Sequence, residues 1–74
     1  MPMDDRKRIK DYLQTELEHL IKENVIGLRA SRNRKIIRDK LFKGLSIVEI
    51  SKKYDLSQTR VKTIIRTFRQ KIDG

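Results

Sequence analysis

The stretch Ser46-Ile47-Val48-Glu49-Ile50-Ser51-Lys52-Lys53-Tyr54-Asp55-Leu56-Ser57-Gln58-Thr59-Arg60-Val61-Lys62-Thr63-Ile64-Ile65 decides how this chain folds. Ser46 and Glu49 stand three apart at the head of an apolar pattern, the form of a capping box. The serine hydroxyl accepts from the N–H three residues on, and the glutamate reaches back to the serine N–H. A short helix over about 47–54 should follow. Asp55 falls where the turn needs a positive φ, a conformation that Asp tolerates better than most residues. Ser57 is a second N-cap, and the spacing predicts a longer helix over 58–72. Ile50 and Tyr54, one turn apart, should face inward. Ser51 is small where the two helices come closest, and Leu56 buries into the corner. Val61, Ile64, Ile65, Phe68 and Ile72 mark the buried side of the longer helix.

Upstream, a helix over about 32–43 is expected, with Ser31 or Asn33 as N-cap. Ile36, Ile37, Leu41 and Phe42 form its apolar side, and Gly44 ends it. Before that, residues 5–26 read as one long helix. Asp4 and Asp5 suit its N-terminus. Ile9, Tyr12, Leu13, Leu17, Leu20, Ile21, Val25 and Leu28 recur at spacings of three and four, and Gly27 closes it near residues 24–26. The stripe is assigned to the core; the alternative is that part of it forms a dimer seam. The predicted architecture is therefore all-α. It is a single domain over 1–74 with four helices, the last two a helix-turn-helix. An amphipathic N-terminal helix lies within 1–27, and the helix-turn-helix core spans 32–72. Three glycines, one proline and no tight-hairpin dipeptide argue against strands.

Charge points to the partner. The chain of 74 residues has 19 Lys and Arg against 10 Asp and Glu, a net +9. The imbalance is local: residues 1–24 carry net −1 and residues 25–74 net +10. The polyanion-binding part is thus expected in the second half. No cysteine is present, so disulfides and thiolate metal sites are excluded. The single histidine, His19, has no metal-binding or acid–base companions and reads as a surface residue. No apolar run approaches the ~20 residues of a membrane span, and the first ten residues do not form a secretory signal. The expectation is a cytoplasmic module. No cofactor, small-molecule substrate or catalysis is expected, because no carboxylate pair, nucleophile–base pair or phosphate loop is present.

A basic helix after a tight turn fits the major groove of duplex DNA, where side chains on its first turns reach base edges. At those positions stand Gln58, Thr59, Lys62, Thr63 and Arg66. Gln can pair with adenine and Lys or Arg with guanine; Thr can hydrogen-bond or set its methyl against thymine. Arg32, Arg34, Lys35, Lys43, Ser46, Lys52, Lys53, Ser57, Arg60 and Arg69 form the candidate phosphate-contacting set, with Lys71 as a supporting cation. Such contacts give affinity and salt dependence rather than sequence choice. The competing account is that the helix pair is a packing unit, the basic residues a solvated face, and the two serines caps alone.

The run from Arg34 to Ile65 resembles region 4, the C-terminal DNA-binding domain of bacterial sigma factors. The features shared are a hydrophobic helix ending in Gly44-Leu45-Ser46, then Glu49-Ile50, an aromatic Tyr54 before Leu56-Ser57, and Arg60-Val61 followed by Ile64. The resemblance covers about residues 32–72 and not 1–27. It implies a domain that binds the promoter −35 element through the second helix of the motif and can touch RNA polymerase. Lys62 matches a basic DNA-contacting position, and Arg60 the arginine before the valine. The chain departs from the family at base-reading positions. Gln58 and Thr59 stand where primary sigma factors place Arg then Glu, and Thr63 where they often place Gln. These departures count against recognition of the usual −35 sequence.

The function expected is that of a small, sequence-specific, double-stranded DNA-binding transcriptional regulator, of a size typical of phage or mobile elements. It would dimerise through the 5–26 helix or attach to another DNA-bound protein. Two rivals stand beside it: a sigma-like interaction protein that binds RNA polymerase or another regulator, and a phage DNA-packaging small subunit.

Overall fold

Ser46 and Glu49 make both bonds of the box expected of them. Glu49 N–H donates to Ser46 Oγ at 3.1 Å, and Ser46 N–H donates to Glu49 Oε1 at 3.1 Å. The computed structural model describes residues 12–73, and among them are four α-helices and no strand. They are α1 (Gln14–Asn24), α2 (Ala30–Leu41), α3 (Ile47–Tyr54) and α4 (Gln58–Asp73). The protein is all-α.

Asp55 ends α3 in the left-handed region, at φ 55° and ψ 49°. Its N–H and that of Leu56 both donate to Ser51 O, the latter at 2.9 Å. Ser57 then caps α4: Arg60 N–H donates to its hydroxyl at 3.1 Å, and Val61 N–H to its carbonyl at 3.1 Å. Three residues therefore separate α3 from α4, and Ser51 O on one side and the hydroxyl of Ser57 on the other take up free groups at this corner.

Two helix starts differ from the expectation. The helix expected over 5–26 does not include Leu13, which is extended (φ −71°, ψ 155°), and α1 begins at Gln14. Glu16 holds that start by accepting from Leu13 N–H at 2.9 Å. Leucine has no hydroxyl to return the bond, so the usual sequence mark of an N-cap is missing. Asp4, Asp5 and Ile9 lie outside the described residues. The second helix starts at Ala30 rather than 32, behind Arg29, and Ser31 and Asn33 sit inside it instead of capping it. Gly27, at φ +107°, turns the chain, and its carbonyl accepts from Ala30 N–H at 3.1 Å, so the helical turn begins at once. The helix also stops at Leu41, two residues early. Gly44 at φ +69° allows Leu45 N–H to reach back to Asp39 O at 3.1 Å, the wide bond of a glycine-terminated helix.

The core has two parts. Ile21, Val25, Ile37 and Phe68 join α1, α2 and α4, with Leu20, Leu41, Phe42 and Ile72 packed around them. Ile36, Ile50, Val61 and Ile65 join α2, α3 and α4, with Leu45, Ile47, Tyr54 and Leu56 around them. Adjacent residues on α2, Ile36 and Ile37, feed one part each, and Ile64 of α4 touches both. Only the middle of the expected stripe is used inside the fold: Leu17, Ile21 and Val25 are buried, while Leu13 and Leu28 of the stripe, and Ile26 beside it, are exposed. Each buried aliphatic contributes about 1.5–3 kcal/mol, which is what holds α4 with its other face outward.

Candidate nucleic-acid interface

The buried residues Val61, Ile65 and Phe68 fix which way α4 turns. The face left outside begins with Gln58, Thr59, Arg60 and Lys62 and continues through Arg66, Thr67, Arg69 and Gln70, all exposed. Thr63 is half-buried, and its hydroxyl donates to Thr59 O at 2.9 Å, leaving its oxygen lone pairs and methyl group for other contacts. The five residues expected to read bases therefore share the outer half of one helix. From Gln58 to Ile72 that helix carries no acidic side chain.

The outer face is bordered by two clefts. Lys62, Arg66 and Arg69 line one with Lys40 of α2, over a floor of Ile47 and Ile65. Arg60, Thr63, Thr67 and Lys71 line the other with Asn24 and Asn33 from α1 and α2. Thr59 and Gln70 line neither cleft, so α4 presents uncharged polar side chains between two cationic borders.

The remaining cations divide by what holds them. Arg34 Nη2 donates to Lys22 O at 3.0 Å, and Lys71 Nζ to Asn24 O at 2.9 Å, so both cap the C-terminal carbonyls of α1. Arg34 Nε is buried with no partner among the described residues. Arg32 donates to Asn33 Oδ1 at 3.3 and 3.2 Å through Nε and Nη2. Lys53 Nζ lies 2.9 Å from Asp39 Oδ2, and Lys43 Nζ 3.5 Å from Asp39 Oδ1. Ser46 and Ser57 use their hydroxyls as helix caps. Of the residues expected to contact phosphate, Lys35, Lys52, Arg60 and Arg69 are exposed with no hydrogen bond or ion pair among the described residues.

Asp39 was not anticipated from the sequence. It is 3% exposed, and Tyr54 Oη donates to its Oδ2 at 2.6 Å beside the Lys53 ammonium. Burial alone would raise its pKa. The hydrogen bonds from Tyr54 and Lys53, with the charges of Lys53 and Lys43, outweigh burial and hold the carboxyl below its ordinary value. Burial, reinforced by Asp39, pushes the Tyr54 hydroxyl up, and the hydrogen bond to Asp39 does the same to Lys53. Lys53 also lies 5.4 Å from the centre of the Tyr54 ring. The cluster ties α3 to α2 and so sets the platform on which α4 rests. The only local hint was Asp39 and Lys43 spaced by four; Tyr54 lies 15 residues away and could not be paired with Asp39 from sequence.

His19 is exposed and meets Glu23 one turn on. Among the described residues no group of acids and histidines could hold a metal, and no helix is long and apolar enough to cross a membrane. Comparisons with family models, with characterised proteins and with solved structures found no match for this chain.

Proposed function

We propose that the protein is a small, sequence-specific, double-stranded DNA-binding transcriptional regulator, and that α4 enters the major groove. The observation that carries this reading is the outer face of α4, with exposed Thr59 and half-buried Thr63 between cationic borders and no acid before Asp73. Groove-facing uncharged side chains discriminate base edges, and cations at the borders meet phosphate oxygens on either side. Gln58, Thr59 and Thr63 supply discrimination, with Lys62 and Arg66 reaching guanine or phosphate. Arg60 and Arg69 supply affinity, as do Lys35 and Lys52 beyond α4.

One module of this size buries only ~600–1,000 Å² on DNA. Tight binding therefore calls for a second contact, either a second copy of this chain or another DNA-bound protein. A second reading, contact with RNA polymerase or another regulator, draws on Ile26 and Leu28, apolar and exposed in the α1–α2 connection.

The test is a titration against a random-sequence duplex pool at two salt concentrations, with the bound fraction sequenced. An enriched motif that persists at the higher salt supports the regulator. Weak uniform binding that disappears with salt removes it. Capture of RNA polymerase subunits without a DNA shift favours the second reading.

A further inference from the structure

We infer that the cleft between Lys40, Lys62, Arg66 and Arg69 seats a backbone phosphate of the bound DNA, which makes Lys40 of α2 a DNA-contacting residue. The inference rests on α4 being the DNA-binding helix and extends it to a residue outside that helix. Four cations from two helices line this cleft, which has a volume of about 270 Å³. Its other lining residues are the apolar Ile47 and Ile65, and among the described residues no acid lines it.

What separates this cleft from the opposite one is that it gathers four cations and all are uncommitted, whereas the opposite cleft pairs uncommitted Arg60 with Lys71, which is held. Lys40, Lys62, Arg66 and Arg69 have no hydrogen-bond or ion-pair partner among the described residues. On the opposite border of α4, Lys71 is held by Asn24 O, and nearby Arg34 is held by Lys22 O. Around α3, Lys43 and Lys53 are held by Asp39. Like charges brought together without counter-charges repel one another, and an anion in the cleft removes that cost. Arg66 and Arg69 carry planar guanidiniums suited to the oxygens of a phosphodiester. Lys62 and Arg66 form the wall next to the outer face of α4, and Lys40 and Arg69 complete the cleft. A strand gripped here runs directly beside the bases that α4 would read.

The test compares Lys40→Ala, Arg69→Ala and Lys40→Arg with wild type on the selected duplex and on a random duplex, over 50–200 mM salt. Lys22→Ala is the control, since Lys22 lies on α1 and lines neither cleft. Each phosphate contact contributes a slope of about 0.9 in log K against log salt, or ~3.5-fold over that range. Lys40→Ala and Arg69→Ala should each lower the slope, by at most about that amount because three cations remain around the phosphate, and weaken both duplexes equally. Lys40→Arg should restore the slope, and Lys22→Ala should leave it unchanged. Thermal melting of each variant separates lost contact from lost fold. Wild-type binding with an unchanged slope in Lys40→Ala overturns the cleft and leaves α4 as the DNA-binding helix. An equal slope change in Lys22→Ala also overturns it, because the effect is then one of net charge. No duplex binding by wild type overturns both, and points to an acidic protein segment instead.

Discussion

Asp39 is the one acidic side chain of α2, and its burial decides how the middle of the molecule responds to acid. Its folded pKa is depressed, so the stability it contributes is present in full above its ordinary value of 3.8 and is lost as pH falls through the lower folded value. Tyr54→Phe removes the 2.6 Å bond to this carboxylate. It should cost about 1–3 kcal/mol at neutral pH, because a buried charged acceptor loses a donor. It should also shrink the acid-induced loss, because the folded pKa of Asp39 moves back up toward its ordinary value. Thermal melts of wild type and variant from about pH 7 to about pH 2 check both points. Equal melting temperatures throughout would mean that Lys53 and Lys43 hold Asp39 without the tyrosine. Sequence alone could not disclose this group: an Asp among Arg and Lys on a helix reads as surface, and its half-buried partner Tyr54 comes from another helix.

At the scale of elements, the α3–α4 corner was legible and the two earlier helix starts were not. Ser46, Glu49, Asp55 and Ser57 act within four residues of themselves, through bonds that their side chains or backbone conformation specify. Ser46→Ala should therefore cost about 1 kcal/mol. Asp55→Gly should stabilise by up to ~1 kcal/mol, since glycine adopts φ 55° without strain and removes an acid from the C-terminus of α3. Asp55→Val should do the reverse. Urea midpoints for the three variants order them; a destabilised Asp55→Gly would mean that the aspartate side chain has a role beyond its backbone conformation. Leu13 and Arg29 carry no side-chain cap bond, so hydrophobic spacing ran past Leu13 and the polar pair Ser31 and Asn33 drew the other start too late.

For the whole molecule, α2 and α4 are shared by both parts of the core, and this makes α1 an integral helix. Ile21 is fully buried against Val25, Ile37 and Phe68. Ile21→Ala should cost about 2–5 kcal/mol, a large part of the ~5–15 kcal/mol that stabilises a typical domain. Circular dichroism should show one cooperative transition at lower temperature. Retained melting at the wild-type temperature would show that α1 does not support the rest. The outer face of α4 gives a prediction at the same scale. Lys62→Ala should cost about 1–3 kcal/mol on a selected duplex, whereas Lys52→Ala should weaken all duplexes alike. Unchanged affinity for Lys62→Ala would remove α4 as the reading helix. Sedimentation at tens of micromolar, with and without DNA, tests pairing of copies. Pairing has only Leu13, Ile26, Leu28 and Val48 as exposed large apolar side chains to draw on among the described residues.

The sequence by itself determined the all-α class, the caps on either side of α3, the left-handed residue at 55 and the buried side of α4. Each of these follows from bonds or spacings that repeat within one or two turns. Only the tertiary structure decided which cations are free. Arg34, Lys43, Lys53 and Lys71 have the same formal charge as Lys40 and Arg69, yet the first four are taken up by Lys22 O, Asp39 and Asn24 O. Those partners lie up to 47 residues away in sequence. Charge is counted along a chain, but its availability is set by what packing brings beside it.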